Sequence, residues 1–417
     1  MHNSIHMKSN QVLSFLIIIV FTACNESGKN PVSSDRDPLI VKNEISIFEK
    51  SIKPVTINVI KSNETLLTSL LVDEDHKIIK LETNDDCLIG EITKVAMTGN
   101  HLFVLDSKVA KKLFCFDLSG KYLFSVGVMG DGPGEMDTPR DFDVTENRIF
   151  IIDRQCRLFS FDTAGKYMSN IRLPFNTTKI CAFNDTTYFF YSNMIMDDFK
   201  FYLTKVAYPG NVESFTFPIQ SVNVEKYGMP QAFSRNMTKS LFMKFLSDTI
   251  FTLTNDKIVA SYVINFPTYY PQTIFDNPNE LDKVFSDHDS YWKLANMHLA
   301  ETDSNLFFLS FGEKIYSHFY NKQTFKYKMF SSTNDDYMFG GLGFLFPVGA
   351  YGSYFIYPIS MPEMVSAYSN LSGKAKVTGS FKEFKANYPE FCKLGETSGE
   401  DDNPALLLTR INKRIYE

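Results

Sequence analysis

The feature that most restricts the fold is that the chain repeats itself. Residues 101–126 read HLFVLDSKVAKKLFCFDLSGKYLFSV and residues 148–171 read RIFIIDRQCRLFSFDTAGKYMSNI. Each has an apolar run ending in Asp, a short polar connection, a second run ending in Phe-Asp, and a turn closed by Gly-Lys-Tyr. Phe116-Asp117-x-x-Gly120-Lys121-Tyr122 and Phe161-Asp162-x-x-Gly165-Lys166-Tyr167 agree at every fixed position, 45 residues apart. LFVLD and IFIID are continuous apolar runs of strand length, as expected of strands covered on both faces. Asp at a strand end bonds its own downstream backbone, and Gly closes the turn where positive φ costs little. One unit is therefore several antiparallel strands in about 45 residues, close to the period of a propeller blade. Two packed β-sandwiches are the rival architecture, but they do not require a fixed period.

Weaker copies predict further strands at TTYFFYSN (186–193), 199–219, 248–266, 305–330 and 352–359, with an upstream pair, KPVTINVI and HKIIKLE. The 39 Phe and 21 Tyr suit pleated, half-buried surfaces. The helical patterns are few: 278–285, 362–371 and 381–394. There is no βαβ alternation, which disfavours a doubly wound or TIM-type sheet. The expected fold is all-β, a six-bladed propeller, with a few short helices in insertions and near the C-terminus.

The first 23 residues have a basic opening and a short apolar run, too short to span a bilayer and of the length of an export signal. Phe21-Thr22-Ala23-Cys24 resembles a bacterial lipobox, which implies cleavage before Cys24 and lipidation of that residue; an ordinary signal peptide with a bystander cysteine is the other reading. Residues 24–40 have the composition of a flexible tether, and 41–417 form one propeller domain. The other five cysteines, Cys87, Cys115, Cys156, Cys181 and Cys392, are odd in number and lack CxxC spacing, so no disulfide framework is expected.

Three stretches suggest a family. KIIKLETNDDCLIGEI, the first repeat with GDGPGEMDTPRDFDV after it, and DDNPALLLTRI together resemble the six-bladed β-propeller lipoproteins of Bacteroides-type bacteria. The matching positions are Leu81-Glu82-Thr83, Gly130-x-Gly132-Pro133-Gly134-Glu135 and Asp402-Asn403-Pro404. The resemblance is strong over 77–170, diffuse in the middle, and returns at the end. It implies a propeller and a lipid anchor at the outer membrane, and no particular reaction. In a closed ring the strand near Ile78–Leu81 should complete the same blade as the C-terminal strands.

The chemistry is sparse. Gly130-x-Gly132-x-Gly134 has neither P-loop nor dinucleotide spacing, and Glu135 stands where a phosphate loop needs a cation. Asp131, Glu135 and Asp137 offer hard oxygens, but without EF-hand spacing. No HExxH, His cluster or GxSxG elbow occurs, so no metal, cofactor or catalytic residue is assigned. A net charge of −6 speaks against nucleic acid. The candidates are Arg140 and Asp141, just past the glycine stretch, and Arg154, after the strand-end Asp153. Each either meets a ligand at the central channel or pins neighbouring blades together, the arginines through turn aspartates. Tyr291 and Trp292, the only Trp, could stack on a sugar or anchor an insertion. Two functions follow: a binding lipoprotein for a glycan, peptide or envelope protein, or a propeller-type polysaccharide lyase or hydrolase with its site in the channel.

Overall fold

The computed structural model describes residues 53–192, 201–219, 231–237, 239–244, 247–267, 298–311, 314–342 and 346–417. The signal, Cys24, the tether, the helix expected at 278–285, and Tyr291 and Trp292 lie outside them.

Strands β1 (Val55–Asn58), β2 (Thr65–Leu67) and β3 (Lys77–Lys80) come before the regular units. Blade 1 is β4 (Lys94–Thr98), β5 (His101–Asp106), β6 (Lys112–Asp117) and β7 (Tyr122–Val126). Blade 2 is β8 (Pro139–Val144), β9 (Arg148–Asp153), β10 (Arg157–Asp162) and β11 (Tyr167–Arg172). Blade 3 is β12 (Lys179–Ala182), β13 (Thr187–Tyr191), β14 (Phe201–Ala207) and β15 (Asn211–Pro218). Blade 4 is β16 (Phe233–Asn236), β17 (Lys239–Met243), β18 (Thr249–Leu253) and β19 (Ile258–Asn265). Blade 5 is β20 (Leu299–Glu301), β21 (Asn305–Phe311), β22 (Ile315–Asn321) and β23 (Tyr327–Phe330). A short β24 (Ser332–Asn334) follows. Blade 6 takes β25 (Gly349–Tyr351), β26 (Tyr354–Ile359), β27 (Ala405–Thr409) and, from the other end of the chain, β3.

The chain is thus a six-bladed β-propeller, and its ring closes as expected. β3 runs antiparallel to β27, Ile79 opposite Leu406 and Ile78 opposite Leu407. The upstream strands do not pair with each other. β1 adds to blade 4 as a fifth strand, parallel to β19, and β2 pairs in parallel with β24. The N-terminal segment therefore straps blades 4, 5 and 6 before closing the ring.

The repeated residues act alike in blades 1 and 2. Asp117 Oδ1 accepts from the Ser119 and Lys121 amides, and Asp162 Oδ1 from those of Ala164 and Lys166. Gly120 and Gly165 take φ of +89° and +80°. The strand-end aspartates tie each blade to the connection that enters it. Asp106 Oδ2 accepts from Gly90 N and Glu91 N, and Asp153 Oδ2 from Asp137 N.

The core lies in the seams between blades. Phe103, Leu105 and Leu113 of blade 1 meet Phe142, Ile151 and Phe159 of blade 2. Val104 and Phe114, on the other face, meet Ile356 and Leu406 of blade 6. Both faces of each blade are covered, and each buried aromatic contributes about 1.5–3 kcal/mol. Between β26 and β27 the chain forms α1 (Met361–Thr378), α2 (Phe381–Asn387) and α3 (Pro389–Thr397). The single helix expected over 381–394 is split at Tyr388-Pro389, because the residue before proline avoids helical backbone. Met361, Met364, Phe391 and Cys392 seat this layer on Phe307 and Phe355.

Candidate functional site

The first strand of each blade, β4, β8, β12, β16, β20 and β25, lines the centre of the ring. They run in the same direction, as the successive contacts Asp141 to Ile180 and Asp143 to Ala182 show, and the end at which they start is here the entry end. At the entry end, Lys94 Nζ donates to Asp141 Oδ1 at 3.0 Å and Phe142 O at 2.5 Å. Asp141 Oδ2 accepts from Ile180 N at 2.9 Å, so this carboxylate joins blades 1, 2 and 3. Two residues further along, Asp143 Oδ2 accepts from Ala182 N at 2.8 Å.

The far end is crossed by side chains of blade 4. Arg235 Nη1 reaches Asp143 Oδ2 at 3.2 Å and Val144 O at 2.5 Å on blade 2. Asn236 Nδ2 donates to Asp303 Oδ1 and Gly352 O on blades 5 and 6, and its Oδ1 accepts from Gly352 N. Buried Glu301 receives Lys239 Nζ, Lys322 Nζ and the Tyr262 hydroxyl, all on Oε1. Asp141, Asp143 and Glu301 are thus each held by a cation together with further N–H or O–H donors. That is the arrangement a buried carboxylate needs to remain charged.

Lys179 differs. It opens β12 at the entry end, half-buried, and its ammonium has no hydrogen bond or ion pair among the described residues. Burial pulls its pKa below the usual lysine value; Asp141 opposes this, while the charges of Lys94 and Lys108 add to it. Lys94 and Lys179 hold equivalent places. Thr93-Lys94-Val95-Ala96 and Thr178-Lys179-Ile180-Cys181 both begin an inner strand, and Thr93 N and Thr178 N bond Leu105 O and Tyr191 O on the second strands of their blades. Lys94 finds Asp141 on the next blade. The next blade after Lys179 offers Phe233-Ser234-Arg235-Asn236, with no acid. This Thr-Lys repeat was the signal available in the sequence for both lysines, but it is only two residues long and easily passed over.

The residues singled out from sequence fall at or beside this end. Asp141 is buried in the joint just described. Arg140 Nη1 donates to Asn176 Oδ1 at 3.0 Å and Thr177 O at 2.9 Å, linking blade 2 to the connection entering blade 3. Its partners are an amide and a carbonyl, so a pairing with turn aspartates does not occur. Arg154 is exposed on the β9–β10 connection. An arginine of blade 2 that does pair with a turn aspartate is Arg157, whose Nε and Nη2 meet Asp153 Oδ2 at 2.8 and 2.7 Å. The glycine stretch is the connection from β7 to β8. Glu135 turns its carboxylate inward onto Gly132 N at 2.8 Å, and a Cβ on Gly130 would lie 2.0 Å from the same oxygen. Cys115 is a buried thiol whose pKa burial pushes up to about 12, a packing residue.

Two other polar clusters lie away from the channel. His76, Tyr337 and Glu390 bond one another where α3 meets the loop before β3. His318 is fully buried between Ser310 Oγ at 2.6 Å and Tyr327 OH at 2.7 Å, stacked on Phe308. A Ser-His pair with no surface access serves packing rather than attack on a substrate.

No curated protein matches the sequence. Among solved structures, a Bacteroides fragilis protein described as exported superposes with a TM-score of 0.68 at 21% identity, over 87% of this chain and 100% of that one. Hsv2 of Kluyvelomyces marxianus gives a TM-score of 0.30 at 11% identity, over 55% and 60% of the two chains. The first likeness carries the fold and the second carries no argument. Residues 54–410, nearly the whole described body, match the family known as DUF4934, a domain of unknown function, and the chain belongs to that family.

Proposed function

We propose that the protein is a binding lipoprotein of the bacterial envelope, anchored through Cys24 at the outer membrane, with its propeller taking a ligand at the entry end of the channel. The observation that carries this reading is the contrast among channel charges. Asp141, Asp143 and Glu301 are saturated by cations and other donors, while Lys179 is unpaired among the described residues. Saturated carboxylates hold blades together and are poorly placed as acids or bases, whereas an open cation suits recognition. Export agrees with the lipobox-like N-terminus and with the description of the Bacteroides fragilis protein. Among the described residues no helix is long and apolar enough to cross a membrane. Fold alone does not select a function.

The lyase or hydrolase reading draws on one observation, the lowered pKa of Lys179, since a lysine brought toward neutrality can act as a base. One experiment separates the two. The full chain is recovered from the membrane fraction and applied to arrays of glycan fragments and peptides, and retained material is weighed by mass spectrometry. Retention of an unaltered ligand is the expected result. Shortened or unsaturated products would establish the enzyme. Recovery only from the soluble fraction would contradict the anchor, and retention of nothing would contradict binding.

A further inference from the structure

The entry end carries more positive charge than its own structure uses. Lys108 is matched by Glu91 at 2.6 Å, Lys94 by Asp141, and Arg140 by Asn176 and Thr177. Lys179 stands beside them with no partner of its own among the described residues. Asp141 is near enough for its charge to act on Lys179, but it is already bonded to Lys94 and Ile180 N. A partly desolvated ammonium without a partner is unfavourable, and a ligand anion beside it removes that cost. Arg235 and Asn236 cross the far end, so among the described residues the approach to this ammonium is from the entry end.

Among the described residues, the entry-end connections around blade 1 expose aliphatic side chains. Leu88 precedes blade 1, Val109 lies on its β5–β6 connection, and Val128 and Met129 follow it; each is at least half exposed. Aliphatic side chains at a binding rim bury apolar side chains of a partner, whereas sugar rings use aromatic platforms, and no aromatic residue stands among these four. We propose that Lys179 anchors a carboxylate of a short acidic peptide, whose neighbouring apolar side chains rest on this rim. The inference rests on the binding function above and specifies its ligand class. A lysine suits a single carboxylate oxygen, being a point charge rather than a fork.

The test uses calorimetry on the mature chain with acetylated pentapeptides of Val and Leu that carry one Glu, each against its Gln counterpart, and hexagalacturonate as a carboxylate-bearing glycan. The Glu peptides should bind about tenfold more tightly than the Gln peptides, the strength of one charge-assisted hydrogen bond. Lys179→Met should erase that difference, and Lys179→Arg should keep most of it. Lys179→Met should also unfold at higher denaturant than the native chain, which distinguishes lost recognition from lost folding. Equal binding of Glu and Gln peptides, or a Glu preference surviving in Lys179→Met, would overturn the role of Lys179 while leaving a binding function standing. Preference for hexagalacturonate over every peptide would overturn the ligand class. Failure to bind these probes or anything on the arrays would overturn both proposals together.

Discussion

At the scale of single residues, His318 shows how an imidazole can be a liability in acid without having any catalytic part. Its ring is fully buried in blade 5, with a hydroxyl on each nitrogen, an arrangement that suits the neutral form. Burial lowers its pKa from 6.5 to about 3. The unfolded chain therefore takes up a proton that the folded chain refuses between those values. Stability is complete above about pH 6.5 and falls as pH drops toward 3, by roughly 1.4 kcal/mol per unit. Urea unfolding at pH 6.5 and pH 5 should show the native chain losing about 2 kcal/mol more than His318→Gln over that interval. Equal losses in the two chains would mean that His318 is not held neutral. This histidine was invisible as a core residue in the sequence, because its neighbours Ser310 and Tyr327 come from two other strands.

At the scale of elements, ring closure is the step that brings distant parts of the sequence together. Asn403 sits just before β27 and is buried. Its Nδ2 donates to Glu82 O and Cys87 O, both at 2.7 Å, and its Oδ1 accepts from Ile89 N at 2.8 Å. It fastens the C-terminal strand to the connection that leaves β3 for blade 1. Beside it, Asp402 pairs with Lys80 at 2.8 Å in a partly exposed position. Asn403→Ala should cost about 3 kcal/mol, since it strands buried carbonyl and amide groups, while Asp402→Ala should cost under about 1 kcal/mol. Guanidinium unfolding of both variants checks this; an Asp402 effect equal to or larger than that of Asn403 would contradict it. Leu81-Glu82-Thr83 and Asp402-Asn403-Pro404 drew notice in the sequence, and they meet in space because Asn403 N bonds Thr83 Oγ1 and Asn403 Nδ2 bonds Glu82 O. Blades 1 and 2 were legible because their turns need Asp and Gly at fixed places. Blades 3 to 5 were less so, because hairpins such as β18–β19 turn through other residues, Asn255-Asp256, and alternation alone does not set blade boundaries. The destination of β3 was legible from the need to close the ring, but that of β1 was not, since parallel addition of β1 to β19 leaves no local mark.

At the scale of the whole molecule, the channel is asymmetric. Its far end is laced by Arg235 and Asn236, and its entry end holds a lysine unpaired among the described residues, with exposed aliphatic side chains on the neighbouring connections of blade 1. Arg140 and Asp141 were found from sequence because they follow a conspicuous glycine stretch. Lys179 was not, because what sets it apart is the lack of an acid on the following blade, a relation between strands rather than a motif. The account places ligand at the starts of the inner strands. Hydrogen exchange of the mature chain with and without the Glu pentapeptide reads that location directly. The account predicts slowed exchange at the amides of residues 93–96, 140–142 and 178–181, with no change at 235–236 or along β7 and β11. Protection confined to the far end or to those outer strands would contradict it.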